Sequence, residues 1–162
     1  MVDMYDRHSN NKPILGARQL EILVHTALGH THRQTAKALG ISVNTVRNSL
    51  RTIIGKLGAV GRAHAVTLAL LKGLVDLESL RELAIPKELE GGKEYGPLFE
   101  QVVTYVAKGY LNKEIGLALD VGEQTVKNLV MSISKELGAR NRAHLVTLAL
   151  VLGLLNLKNF AH

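Results

Sequence analysis

The sequence predicts an all-α protein made of two tandem four-helix units, and three observations predict it. An ungapped repeat at an offset of 80 residues relates the two halves of the 162-residue chain. Its longest run pairs Arg62, Ala63, His64, Val66, Thr67, Leu68, Ala69 and Leu70 with Arg142, Ala143, His144, Val146, Thr147, Leu148, Ala149 and Leu150, and shorter runs pair Thr45, Val46 and Asn48 with Thr125, Val126 and Asn128. Apolar residues also recur at helical spacing: Val46, Leu50, Ile53, Ile54 and Leu57 form the stripe a core-facing helix needs. Lastly, Gly29, Gly40 and Gly58 follow successive apolar runs, where helices end on a left-handed residue. The units are residues 15–75 and 95–155, with a loose lead-in over 1–14, an acidic linker over 76–94 and a tail over 156–162.

Within the first unit, residues 17–28 place Leu20, Leu23, Val24 and Ala27 on one side of a helix. A short helix over residues 32–39 follows, with Thr31 as its N-cap and Gly40 as its C-terminal turn residue. Gly40, Ile41 and Ser42 turn the chain into the next helix, within residues 41–58, for which Ser42 is the N-cap. A short helix, a glycine turn and a longer amphipathic helix make the helix-turn-helix pattern, so the fold class is two tandem tetrahelical helix-turn-helix units. The fourth helix, residues 62–74, is apolar on more than one side. In the second unit the matching helices are residues 98–108, 112–119, 123–137 and 142–155, and Asp120, Val121 and Gly122 form the turn. In the linker, Leu77, Leu80 and Leu83 suit a short helix ahead of Ile85-Pro86, and Gly91-Gly92 make a flexible break.

Composition narrows the function. The chain is 46% hydrophobic and 21% charged, as a globular protein is, and its 4% aromatic content without Trp implies an aliphatic core. The absence of Cys excludes disulfides, thiolate metal sites and cysteine nucleophiles, and fits a cytoplasmic location. No apolar run reaches the roughly 18 residues of a membrane span, and the polar, acid-bearing N-terminus does not read as a signal peptide. The net charge of +6 points to a polyanionic partner. Residues 15–75 hold eight Lys or Arg against the single acid Glu21, a net of +7, whereas residues 95–155 hold six bases and five acids, a net of +1. The excess positive charge belongs to the first unit.

The outward side of the long helix carries Asn44, Arg47, Asn48 and Arg51. Arg pairs with guanine and Asn with adenine in a major groove, so these four are candidate base contacts. Thr31, Arg33, Thr45, Lys56 and Arg62 are candidate phosphate contacts, with Lys113 and Thr125 as counterparts in the second unit. His25, His30 and His32 lack thiolate or carboxylate companions, so no metal or other cofactor is expected, and no catalytic constellation marks an enzyme. His64 and His144 share one repeat position, which suggests a packing or capping role. The fourth helices carry more apolar surface than one face needs, notably Leu68, Leu71, Leu148, Val151 and Leu152. They are expected to meet each other, within the chain as a pseudo-dimer or between chains as a homodimer.

The stretches LGARQLEILVHTALG, LGIS, NTVRNSLRTIIGKLG and GRAHAVTLALLKGLV resemble the DNA-binding domain of the LuxR/GerE family of bacterial transcription regulators. The second unit is similar to it through GYLNKEIGLAL and QTVKNLVMSISKELGARNRAHLVTLAL. The resemblance implies a tetrahelical unit whose third helix enters the major groove and whose fourth often mediates dimer contacts. Carried over by position, it adds Lys127 and Asn128 to the base contacts, and sets Met131, which donates no hydrogen bond, opposite Arg51. The first unit departs from the family's N-K-E-I at His32, Arg33, Gln34 and Thr35, and the second loses the opening R-E-x-E, having Leu98, Phe99, Glu100 and Gln101. Family members ordinarily carry an N-terminal sensing domain, for which the 14 residues ahead of the first unit are too few. The expectation is a double-stranded-DNA-binding regulator with the first unit as main reader and the second as a weaker reader or assembly module. The alternative is an interaction module for another regulator or RNA polymerase.

Overall fold

The computed structural model of the chain describes residues 13–85 and 95–160 and is all-helical there. The first unit comprises α1 (Ala17–Ala27), α2 (His32–Leu39), α3 (Val43–Leu57) and α4 (Arg62–Leu71); α5 (Leu77–Ala84) follows. The second comprises α6 (Pro97–Ala107), α7 (Asn112–Leu119), α8 (Glu123–Leu137) and α9 (Arg142–Val151), closed by a 3-10 turn, Leu157–Phe160. Most of the lead-in, the Gly91-Gly92 break and the last two residues of the tail lie outside the described residues.

The fourth helices end earlier than the apolar pattern implies, at Leu71 and Val151. In each, a glycine at positive φ lets the chain turn back. Gly73 N–H donates to Leu70 O at 3.1 Å and Leu74 N–H to Ala69 O at 2.9 Å, and Gly153 and Leu154 repeat both bonds at 3.1 and 2.8 Å. Leu74 and Leu154 therefore belong to the helix stop, where an apolar residue commonly packs back on the last turn. In the acidic segment α5 forms as expected. Asp76 caps it by accepting from Ser79 N–H at 2.8 Å, a bond that also lowers the carboxyl's pKa. Arg81 on α5 then donates through Nε and Nη2 to Val151 O, at 3.1 and 2.7 Å, serving a carbonyl that the end of α9 leaves unpaired.

One continuous apolar core runs through both units. At its centre is α9, in which every residue from 143 to 151 is buried and which packs against α1, α4, α5, α6 and α8. Of the residues expected to join the fourth helices, Leu148 and Val151 are fully buried, while Leu68, Leu71 and Leu152 are half-buried at the edge.

The contacts between units obey the repeat. α4 meets α9, α1 meets α9 as α6 meets α4, and α5 meets α9 as the 3-10 turn meets α4. This is the self-complementary pattern of a two-fold dimer, built into one chain. At one seam Gly29, with φ of 78°, lies so close that a Cβ would come within 2.7 Å of the His144 ring. At the other, Gly109 presses on Val60 and His64 in the same way. Thr67 Oγ1 crosses to Ala107 O at 2.9 Å, and Asn141 Nδ2 to Gly29 O at 3.2 Å.

His64 and His144 cap the turns before their helices: Nδ1 accepts from Val60 N–H at 3.3 Å and from Arg140 N–H at 3.2 Å, respectively. Burial lowers the pKa of both. That of His144 falls to about 4, with Arg140 and His30 adding to the effect of burial. Protonating Nδ1 of His144 would break its cap bond and place charge in the seam beside Arg140. Between its ordinary value of 6.5 and about 4, the unfolded chain binds a proton here that the folded chain does not. Stability is therefore expected to be full above pH 6.5 and to decline as pH falls toward 4. Urea midpoints across that range should show this decline, and His144→Gln should flatten it.

Candidate nucleic-acid interface

Helix α3 is anchored by Val46, Leu50, Ile53 and Leu57, all buried, which turn Asn44, Arg47, Asn48 and Arg51 outward into solvent. Its start is fixed by Ser42, whose Oγ accepts from Thr45 N–H at 3.0 Å and lies 2.9 Å from Thr45 Oγ1. Thr31 closes a capping box on α2, accepting from Gln34 N–H at 3.2 Å while Gln34 Oε1 accepts from Thr31 N–H at 2.8 Å. Both threonines thus already serve the helix ends, although both are exposed. Lys56 donates to Gln19 Oε1 on α1 at 3.1 Å, which ties it to its own unit.

Arg33, on α2, and Arg62, at the start of α4, are exposed. Arg47 and Arg62 both lie near enough to His32, the first residue of α2, to lower its pKa. Glu21, the one acid in residues 15–75, is paired with Arg18 at 3.0 Å. No carboxylate in the first unit therefore neutralises the face of α3.

In the second unit the scaffold repeats and the surface does not. Lys113, Thr125, Lys127 and Asn128 are exposed, but Asn128 Oδ1 accepts from Gln124 Nε2 at 2.9 Å. Arg142, the counterpart of Arg62, is turned inward, donating to Asn112 Oδ1 at 2.8 Å and to Tyr110 O at 2.5 Å. Leu98, Tyr110, Leu111, Leu117 and Met131 are exposed apolar or aromatic residues where the first unit carries Arg18, His30, Thr31, Lys37 and Arg51. The turns differ as well. Asp120 takes the left-handed position at φ of 54° where Gly40 stands in the first unit, and Gly116 replaces Ala36, with room for no Cβ against Val121 O.

Sequence reasoning missed the inward turn of Arg142 and the crowding of His32, because both depend on which side chain faces which across helices. The repeat offered one signal, the pairing of His32 with Asn112. His25 and His30 meet through their Nδ1 atoms at 2.6 Å, and no group of three metal-ligating residues is present among the described residues.

Comparison with known proteins agrees with this architecture. The model of the bacterial regulatory proteins of the luxR family matches residues 13–69 and 100–149. The HTH-type transcriptional activator RamA of Corynebacterium glutamicum is 46% identical over 55 residues, 34% of this chain and 20% of that protein. The transcriptional regulatory protein YdfI of Bacillus subtilis is 41% identical over 73 residues, 45% of this chain and 34% of its own length. The spore germination protein GerE of Bacillus subtilis is 34% identical over 74 residues, 46% of this chain and all of GerE. The matched segments thus span a fifth of RamA and about a third of YdfI, whereas GerE is matched from end to end. No solved structure matches significantly.

The two caps give a direct check on how α3 and α8 are held. Ser42→Ala is expected to cost about 1 kcal/mol. The reciprocal Gly122→Ser should stabilise by a few tenths of a kcal/mol. Denaturant midpoints of the two variants measure both effects.

Proposed function

The chain belongs to the luxR family of bacterial regulatory proteins, and from that premise we propose that it is a sequence-specific, double-stranded-DNA-binding transcription regulator whose first unit is the main reader. The observation that carries this reading is the outward face of α3. Arg47, Asn48 and Arg51 project from a rigid, capped helix in a unit of net charge +7 whose one acid is already paired. Arg47 and Arg51 suit guanine edges, and Asn44 and Asn48 suit adenine edges. Arg33 and Arg62 flank them as phosphate contacts that set the register.

The second unit offers Lys127 and Asn128 with Lys113 and Thr125 beside them, but Met131 and a net charge of +1 make it the weaker reader. The exposure of Leu111, Leu117 and Met131 supports an assembly role for it. The α4–α9 contact favours an intramolecular pseudo-dimer over a homodimer through the fourth helices, since it already buries Leu148 and Val151. A second reading draws on the same apolar exposure: an interaction module that binds another regulator or RNA polymerase and barely touches DNA.

A mobility shift against random duplex, followed by selection of bound sequences, separates the two. Enrichment of one motif is expected; no enrichment at moderate salt supports the interaction reading. On the selected duplex, Arg47→Ala with Arg51→Ala should abolish specific binding, since each bidentate pair contributes about 1–3 kcal/mol of discrimination. Lys127→Ala should only weaken it, and affinity should fall steeply with salt as displaced counterions dictate. Equal losses from both sets of variants would refute the leading role of the first unit.

A further inference from the structure

His32 opens α2 between the recognition helix and the start of α4, and its Nε2 is a buried side-chain nitrogen with no hydrogen-bond partner. At the equivalent position of the second unit, Asn112 accepts from Arg142 Nη1 at 2.8 Å, so the site is satisfied there by a neutral acceptor facing a guanidinium. The first unit has replaced that acceptor with a group that can gain a proton.

Everything charged around His32 is cationic or already committed. Arg62 on α4 and Arg47 on α3 act on it directly. Arg33 and Lys37 lie on α2 itself, Arg51 and Lys56 further along α3, and His64 on α4. Helix α1 contributes His25 and the ion pair of Arg18 with Glu21, and His30 stands two residues away in the preceding turn. Burial is the first cause of the ring's lowered pKa, and the guanidiniums of Arg62 and Arg47 are the second and third. No acid of the first unit is available to favour the imidazolium. Among the described residues of the first unit none can do so, whereas an anion docking from outside can.

We propose that His32 couples DNA binding to proton uptake: a phosphate docking on Arg62 brings negative charge beside the buried, unpartnered Nε2 of His32, and the imidazole gains a proton as the complex forms. This inference rests on the DNA-binding reading of α3 and names a regulation of that same surface. Its consequence is tighter binding at lower pH, through a positioning residue that need not touch a base. The repeat supplies the test variant, because His32→Asn installs the side chain that the same scaffold already accepts at Asn112.

The experiment measures the affinity of the full chain for its selected duplex between about pH 7.5 and pH 6.0 at constant ionic strength, for the wild type and H32N. His25, His30, His64 and His144 remain in both proteins, so any dependence they cause cancels in the ratio. The wild type should gain at least about threefold more affinity than H32N over that range, below the ceiling of about tenfold per pH unit for one proton. The His32 ring resonance should titrate at higher pH in the complex than in the free protein. Parallel pH profiles for the two proteins, or a His32 titration that the duplex leaves unmoved, would overturn the inference while leaving the DNA reading intact. Failure of both proteins to bind any duplex would overturn the DNA reading and the inference with it.

Discussion

Helix α9 has no side to give to water: all nine residues from 143 to 151 are buried, and its one threonine, Thr147, is satisfied locally by donating to Ala143 O at 3.2 Å. A helix that is apolar all round must be enclosed, and full burial of each Leu or Val contributes roughly 1.5–3 kcal/mol. Its own unit covers only part of it, through α6 and α8; the remainder is covered by α1 and α4 of the first unit and by α5. The two units are therefore not beads on a tether. The acidic segment, which reads as a linker, contributes to the enclosure, with Arg81 on the carbonyl of Val151.

That shared core frees the outer surfaces to diverge. Both units keep the buried positions of the third helix, Val46, Ile53 and Leu57 in one and Val126, Ile133 and Leu137 in the other. What changes is what faces outward: guanidinium becomes thioether at Arg51 and Met131, and hydroxyl or ammonium becomes alkyl at Thr31 and Lys37 against Leu111 and Leu117. Arg62 stays exposed while Arg142 is spent inside its own unit. The same contrast appears at the seams, where the pair His25 and His30 in one unit corresponds to Tyr105 and Tyr110 in the other, both in ring contact. One seam carries an imidazole pair where the other carries a phenol pair.

Local chemistry explains which features were legible before the fold was known. The ends of α2, α3, α7 and α8 follow from caps and left-handed residues that act within five positions, so Thr31, Ser42, Gly40 and Asp120 could be read directly. The fourth helices were read a few residues too long because Leu74 and Leu155 continue the apolar pattern beyond the glycine that ends each helix. The excess apolar area of α4 and α9 was visible as an unmet demand for a partner. That the partner lies in the same chain depends on long-range packing that no local pattern encodes. For the site, the outward face of α3 follows from periodicity, whereas the isolation of His32 and the inward bonding of Arg142 depend on geometry across helices.

The central claim is that one of two equivalent helices does the reading, and the chain's lack of Cys permits a clean measurement of it. A single cysteine placed at Asn44 or at its counterpart Gln124, coupled to a DNA-cleaving iron chelate, reports which helix lies in the groove of the selected duplex. The account predicts strong cleavage within the enriched motif from position 44 and weak cleavage from position 124. Equal cleavage from both positions, or stronger cleavage from 124, would contradict it.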